Sequence, residues 1–289
     1  MEKSKVYFVK DITPENMIKM YEALDVKLSG KIAVKVHSGE VGNQNFIRPH
    51  FMKPIIDYVQ GTIVECNTAY EGKRNTTKEH WETMKLHGWC DIAEVDIMDE
   101  NGEISLPVKD GFHLKENFVG KNIENYDSML VLTHFKGHPM GGFGGALKNI
   151  SIGIASSHGK AHIHGAGVPE NIWTADHDSF LESMADASQT IVDYFKENIV
   201  FINVMCNMSV DCDCCAKAED PAIGDIGILC SLDPVALDQA CLDLVYASND
   251  PGRNHLLERI ESRNGVHTVE AAAKLNIGSR EYELIDLDK

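Results

Sequence analysis

Short apolar segments that favour buried strands alternate along the chain with longer segments of helical periodicity. Strand-like segments occur at residues 5–10, 31–36, 62–67, 128–133 and 199–205. Residues 178–198 are typical of the helical segments, with apolar side chains at helical spacing. Strands joined through helices pair in parallel, because the helix carries the chain back to the starting edge of the sheet. The sequence therefore predicts an α/β fold with mostly parallel sheets flanked by helices.

The length of the chain predicts more than one folding unit. Its 289 residues exceed the usual size of a single domain. We expect two lobes, an N-terminal α/β lobe over residues 1–125 and a C-terminal α/β lobe over residues 126–289. Ligands of such folds bind beyond the carboxyl ends of the strands, so we expect a ligand cleft between the lobes.

The charge balance excludes some classes of partner. Lys and Arg number 27 against 44 Asp and Glu, which gives a net charge of −17. A groove for nucleic acid needs clustered basic side chains, so we expect no nucleic-acid partner. No apolar stretch approaches the length of a membrane span, and the first residues lack the apolar stretch of a signal peptide. We expect a cytoplasmic protein that binds a small anionic molecule. These features are compatible with assembly into a homo-oligomer.

Glycine is concentrated in residues 132–148, directly after a strand-like segment. Dense glycine permits positive φ and lets backbone N–H groups approach a ligand closely. The spacing matches neither the G-x-x-x-x-G-K-[ST] phosphate loop nor the G-x-G-x-x-G dinucleotide pattern. A cradle for an anion or cofactor is the functional interpretation, formed by Gly142, Gly144 and Gly145 with Lys148 as counter-charge or covalent amine. A structural hinge with a solvated lysine is the alternative.

Histidine is concentrated in the same region. Five of the thirteen histidines fall within 31 residues. They are His134, His138, His158, His162 and His164. Imidazole titrates near neutral pH and binds metals, so this group predicts acid–base catalysis or metal binding. We expect His134 and His138 to be catalytic, together with Lys148.

Cysteine is concentrated in residues 206–215. Without a secretory signal, clustered cysteines are typical of metal ligands or reduced thiols. The spacing C-x5-C-x-C-C is neither the ferredoxin run nor a zinc ribbon. Cys206, Cys212 and Cys214 are the candidate ligands of an iron–sulfur cluster or another metal ion, and reduced thiols without a ligand remain an alternative.

Two basic groups follow strands in the N-terminal half. Arg48 precedes Pro49 at a helix entrance, where a guanidinium can hold a carboxylate or phosphate. Lys73 and Arg74 form a second candidate anion clamp at the start of another helix. Ordinary loop hydrogen bonding is the alternative for both groups.

Several of these segments together resemble a known family. The resemblance lies in residues 35–40, 67–75, 134–148, 211–214 and 225–236. On these residues the chain resembles the family catalogued as domain of unknown function 362 (DUF362). Many relatives carry an inserted ferredoxin-like iron–sulfur module, which implies a redox role and a redox partner protein. This chain does not contain that four-cysteine run.

The central segment also resembles, more distantly, the nickel-pincer lactate racemase family (LarA-like). His138, the run from Gly142 to Gly145, Lys148 and His164 match that family's motif. The resemblance implies that His138 is an acid or base, that Lys148 holds a nickel-pincer nucleotide cofactor and that His164 binds nickel. Lys73 stands where that family has a second acid–base histidine.

We therefore expect a cytoplasmic metal- or iron–sulfur-dependent enzyme, an oxidoreductase, that acts on an anionic small molecule or cofactor in the cleft. In this interpretation Cys206, Cys212, Cys214 and His164 bind the metal. A racemase or epimerase with a pincer-like cofactor on Lys148 is the enzyme alternative. A non-catalytic protein that carries a metal or cluster is the alternative from another class.

Overall fold

The computed structural model describes residues 3–289. Its helices and strands, in chain order, are β1 (Ser4–Val9), α1 (Pro14–Ala23), β2 (Ile32–Lys35), α2 (Pro49–Val59), β3 (Thr62–Glu65), α3 (Thr77–Leu86), β4 (Val95–Ile97), β5 (Glu103–Pro107), β6 (Glu116–Gly120), β7 (Ser128–His134), β8 (Lys136–His138), β9 (Gly142–Gly144), α4 (Ala146–Ser151), α5 (Ser157–His164), α6 (His177–Phe195), β10 (Ile199–Met205), β11 (Gly227–Ser231), α7 (Pro234–Ala247), α8 (Arg253–Ser262), α9 (Val266–Lys274) and β12 (Tyr282–Asp286).

Eight of the strands form one sheet in the order β12-β1-β11-β10-β7-β2-β3-β4. Five of the seven neighbouring pairs are parallel, and β11 is antiparallel to both of its neighbours. The hairpins β5-β6 and β8-β9 lie outside this sheet. The predicted α/β fold with a mostly parallel sheet is confirmed.

Helices pack on both faces of this sheet, as alternating residues of β7 demonstrate. Met129 and Val131 belong to a core that includes residues of α4 and α7. Leu130 and Leu132 belong to a second core with residues of α1 and α2. Successive side chains of a strand point to opposite faces, so residues 129–132 of β7 must be apolar on both faces. This explains its continuous apolar sequence.

The sheet runs across the predicted boundary at residue 125. Strand β2 precedes the boundary and pairs with β7, which follows it, from Ile32 opposite Ser128 to Lys35 opposite Val131. Both predicted lobes thus contribute strands to the same sheet. The division into residues 1–125 and 126–289 stays a prediction.

Local sequence accounts for where several helices begin. Thr76 Oγ1 accepts a hydrogen bond from the N–H of Glu79 at 3.3 Å and so caps the first turn of α3. Asp233 precedes Pro234 and accepts from two N–H groups in the first turn of α7. None of the helices in residues 3–289 is both long enough and apolar enough for a membrane span.

The glycine-rich segment differs from the loop that the sequence suggests. Strands β8 and β9 pair as a short hairpin with Lys136 opposite Gly144 and His138 opposite Gly142. Gly142 has φ +77°, a conformation that favours glycine. A Cβ on Gly137 would lie 2.4 Å from the carbonyl oxygen of Val210. Glycine is therefore needed here for a tight turn and for close contact with the cysteine segment.

A buried carboxylate caps α4, which follows this hairpin. Asp238 accepts hydrogen bonds from the N–H groups of Ala146 at 2.7 Å and Leu147 at 3.0 Å, and from Asn203 Nδ2 at 2.8 Å. Burial raises the pKa of Asp238 to about 6. Asp238 thus joins α7 and β10 to the helix that carries Lys148.

Replacing Asp238 should destabilise the fold. We expect Asp238→Ala to lower the free energy of unfolding by about 2–4 kcal/mol, because buried N–H groups lose their acceptor. Urea unfolding monitored by circular dichroism measures this change. Glu258→Ala, at an exposed position of α8, is the control and should stay within about 0.5 kcal/mol of wild type. Equal stability of the two variants would contradict the capping role.

Candidate metal and anion site

A cavity lies at the edge of the sheet where β2, β3 and β7 end. Lys35 and Glu65 are the last residues of β2 and β3, and Thr133 lies near the end of β7. All three line this small cavity, which is partly open to solvent. The carboxyl ends of parallel strands are the usual place for a ligand in this class of fold.

Cationic side chains dominate the lining of this cavity. Five contribute to it: Lys35, Arg74, Lys136, Lys148 and Lys160. Glu65 is the one carboxylate among the residues that line it. The cavity is therefore basic although the whole chain carries a net charge of −17.

Two acidic residues balance part of this charge on the β2–β3 side. Lys35 Nζ lies 2.8 Å from Glu65 Oε2, and Arg74 Nε lies 3.4 Å from Glu40 Oε2. Burial alone would raise the pKa of Glu65, but Lys35 and Arg74 lower it to about 2. Arg74 is 3% exposed, and within the described chain its Nη2 atom has no hydrogen-bond partner.

A second buried group ties the cysteine segment to the end of β7. Asp213 Oδ2 lies 2.8 Å from His134 Nδ1 and 3.2 Å from Lys136 Nζ, while His134 Nε2 lies 2.6 Å from the carbonyl oxygen of Cys206. Both ring nitrogens of His134 therefore face neighbouring oxygen atoms. Burial raises the pKa of Asp213, but His134 and Lys136 outweigh it and hold the pKa below its usual value. The contacts of His134 are those of a positioning residue, and its acid–base role stays a prediction.

One histidine and two cysteines meet beside the cavity. The candidate ligand atoms of His138, Cys212 and Cys214 lie within 4.8 Å of one another. Cys214 also lines the cavity, and its Sγ lies 3.9 Å from His138 Nε2. Lys148 Nζ lies 4.0 Å from Cys212 Sγ, and His37 Nε2 lies 3.9 Å from the same sulfur.

Burial keeps this group uncharged at neutral pH. It raises the pKa of Cys212 to about 11 and lowers the pKa of His138 to about 4, an effect to which Lys148 adds. The contact with Cys212 lowers the pKa of Cys214, but Cys215 and burial raise it more. His138 Nδ1 accepts N–H bonds from Gly141 at 2.8 Å and Met140 at 3.2 Å. In the neutral ring the proton therefore sits on Nε2, towards Cys214.

Two predicted metal ligands lie outside this group. The thiol of Cys206 follows β10, and burial raises its pKa to about 12. His164 Nδ1 bonds the carbonyl oxygen of Lys160 at 2.8 Å, and its ring stacks on Phe180 with centroids 4.8 Å apart. The structure brings Cys212 and Cys214 together with His138, and the metal-binding roles of Cys206 and His164 stay predictions.

The predicted anion clamps separate in the structure. Arg48 is exposed, lies over the ring of Phe46 and donates to the carbonyl oxygen of Gln44 at 2.8 Å. Lys73 pairs with Glu79 at 2.9 Å, and its side chain is 63% exposed. Of the predicted cofactor-binding residues, those lining the cavity are Arg74, Gly144, Gly145 and Lys148. Gly142 lies in the hairpin turn instead, and Arg48 and Lys73 are not among the lining residues.

The lining also includes residues that the sequence does not single out, among them Lys35, Lys160 and Tyr70. Lys35 is a charged residue at the end of an otherwise apolar strand and is 1% exposed, a burial that a lysine rarely shows unless it is paired, as it is here with Glu65. That position was a usable signal. Lys160 stands between His158 and His162 on α5 and has no comparable signal.

Removing the carboxylate of Asp213 should be costly. We expect Asp213→Ala to lower the free energy of unfolding by about 3–5 kcal/mol, because two buried cations lose their partner. Since the folded-state pKa of Asp213 is lowered, its contribution is present above the unfolded-state pKa of about 4 and is lost as pH falls below it.

Urea unfolding at several pH values measures both effects. The control is Asp57→Ala, which removes an exposed ion pair with Lys53 on α2 and should cost less than about 1 kcal/mol. An Asp213→Ala protein as stable as this control at pH 7 would contradict the assignment.

Comparison with known proteins places the chain in a family. No curated protein matches the chain. Two solved structures show a distant likeness. The lactate racemase apoprotein from Thermoanaerobacterium thermosaccharolyticum is 16% identical with a TM-score of 0.41, and the match covers 70% of this chain and 51% of that one. A protein from Thermotoga maritima is 14% identical with a TM-score of 0.46, over 92% of this chain and 60% of that one.

The chain thus spans less than two thirds of the length of either solved protein, and these likenesses carry no conclusion about activity. The family model described as "Domain of unknown function (DUF362)" matches residues 32–243. This range includes β2, the hairpin β8-β9, the cysteine segment and most of α7. The chain belongs to the DUF362 family.

Proposed function

We propose that this protein is a metal-dependent enzyme that acts on an anionic small molecule bound in the basic cavity. One observation carries the proposal: Cys214 belongs both to the lining of the cavity and to the group that can hold a metal ion. A metal ion at that group would therefore lie next to the bound anion. Adjacent metal and anion sites are typical of an enzyme rather than of a protein that only carries a metal.

The donor set suits a soft or borderline metal ion. Two thiolates and one imidazole are ligands of zinc, nickel and iron, and three protein ligands leave a position open. A metal ion bound there supplies Lewis acidity or, if it is iron, electron transfer. With two sulfurs in the group, a mononuclear ion fits better than a four-cysteine iron–sulfur cluster.

The histidine is the weakest member of this set. Nε2 of His138 carries its proton while Nδ1 accepts two backbone N–H bonds. To bind a metal through Nε2, the ring must move that proton to Nδ1 and give up those bonds. We assign the main share of metal binding to Cys212 and Cys214. His138, whose Nε2 proton faces the site, is the candidate hydrogen-bond donor to the bound anion.

Other side chains in the lining would hold the anion. Arg74 supplies an unpartnered Nη2 and Lys148 supplies an amine with no carboxylate within 4.0 Å among residues 3–289. His134 and Lys136 are fixed by Asp213 and keep the cysteine segment in place. Lys148 is also the residue that would hold a pincer-like cofactor, so the racemase alternative predicts a covalent adduct on its amine.

Metal analysis of variants tests the proposal. After anaerobic purification and elemental analysis, we expect about one metal ion per chain in wild type and its loss in both Cys212→Ser and Cys214→Ser. His138→Asn should weaken binding by only about tenfold. Cys90→Ser, at a thiol outside the site, is the matched control and should keep its metal.

The identity of the metal and the mass of the intact protein then separate the candidates. Iron supports an oxidoreductase, whereas nickel with an added mass on Lys148 supports the racemase alternative. Equal metal content in wild type and the double variant Cys212→Ser/Cys214→Ser would refute the site.

Metal binding should depend strongly on pH. Because burial raises the pKa of Cys212 to about 11 and also raises that of Cys214, both thiols must lose a proton when metal binds. Affinity should therefore increase with pH between 6 and 8, by up to about 100-fold per pH unit if two protons leave. Competition with a chromophoric chelator at each pH measures it, and a flat profile would contradict ligation by the two thiols.

A further inference from the structure

The charges around the cavity do not balance. On the β2–β3 side each cation has an acid: Lys35 pairs with Glu65 and Arg74 with Glu40. Lys160 donates to the carbonyl oxygen of Ala155 and is attracted by Asp99. The excess arises on the other side of the cavity.

There, Asp213 is shared by His134 and Lys136, and Lys148 has no carboxylate within ion-pair distance in residues 3–289. Five cationic side chains thus line the cavity against the single carboxylate of Glu65.

The cations converge on one place. Lys35, Arg74, Lys136 and Lys148 line the same cavity together with His37. Gly144 lies between two of them, since a Cβ there would contact Lys136 Cε at 3.5 Å and Lys148 Cδ at 3.6 Å. The excess charge is therefore compact and not spread over the surface.

We propose that this cavity binds a phosphoryl dianion, held by Arg74 Nη2 and Lys148 Nζ. The proposal rests on the anionic substrate proposed above and names its chemical class. A phosphate monoester carries close to two negative charges near neutral pH and has three acceptor oxygens. It would neutralise the excess and satisfy Nη2 of Arg74, a guanidinium atom that is buried without a partner. A monocarboxylate has only one negative charge and two acceptor oxygens.

The lining extends to an aromatic pair on the side of Tyr70. Tyr70 lines the cavity, and the ring of Trp173, which is 63% exposed, lies with its centroid 6.2 Å from that of Tyr70. A ligand that leaves the cavity on this side would meet two rings suited to stacking. Free phosphate and an organic phosphate ester can thus be told apart by whether an aromatic ester binds more tightly.

Calorimetric titration tests this proposal on the full chain. The probes are inorganic phosphate, phenyl phosphate and acetate, each added with and without a metal chelator. We expect saturable binding of phosphate at pH 7.5, weaker binding of acetate by at least about tenfold, and no loss when the chelator is present. Tighter binding of phenyl phosphate identifies an organic ester as the source of the phosphoryl group, whereas equal or weaker binding identifies free phosphate.

Lys148→Met is the informative variant. Because Lys148 forms no ion pair in residues 3–289, its replacement leaves no carboxylate buried without a partner. It should weaken phosphate binding by about tenfold or more, since a charge-assisted contact is lost. Lys53→Met, on the exposed face of α2, is the matched control and should bind as wild type. Thermal unfolding confirms that both variants are folded.

Three results would overturn the inference: no phosphate binding up to about 10 mM, acetate binding as tightly as phosphate, or unchanged binding in Lys148→Met. The titration with a metal chelator separates this inference from the metal proposal. Phosphate binding should survive removal of the metal, so each proposal can fail without the other.

Discussion

The candidate site depends on the carboxylate of Asp213. It holds His134 at the end of β7 and Lys136 at the start of the hairpin, and the backbone carbonyl of the same residue accepts the N–H of Glu40 at 2.8 Å. Three segments distant in sequence therefore meet at one residue. Because Cys212 and Cys214 flank Asp213, the two sulfurs are fixed relative to the sheet. The geometry of the proposed metal site follows from this single buried contact.

Much of the fold could be predicted because its signals are local. Apolar runs, helical periodicity and caps such as Thr76 act within a few residues, and the parallel α/β class follows from their alternation. The order of strands has no local signal. Strand β1, from the start of the chain, lies between β11 and β12, which come from its end. The packing of distant segments determines this order. The hairpin β8-β9 was also missed, because glycine that permits a loop equally permits a tight turn.

Part of the candidate site could also be predicted, because its histidine-, glycine- and cysteine-rich segments are local signals. Composition identified Lys148, Cys212 and Cys214, which the structure places together. It could not separate Arg48 from Arg74, because both stand near helix starts and only tertiary packing turns one guanidinium to the cavity and the other to solvent. Lys160 could not be predicted, because a single lysine in a helix has the same appearance in the sequence whether it is buried or exposed.

The contrast between a basic cavity and an acidic chain affects how a ligand arrives. An anion approaching a protein with a net charge of −17 is repelled at long range and attracted only near the mouth of the cavity. Salt screens the long-range field over roughly 8–10 Å at physiological ionic strength but acts less on buried charges. Moderate salt should therefore speed the encounter of an anion with this protein, the reverse of the usual electrostatic steering, while the charges inside retain the ligand once it has entered.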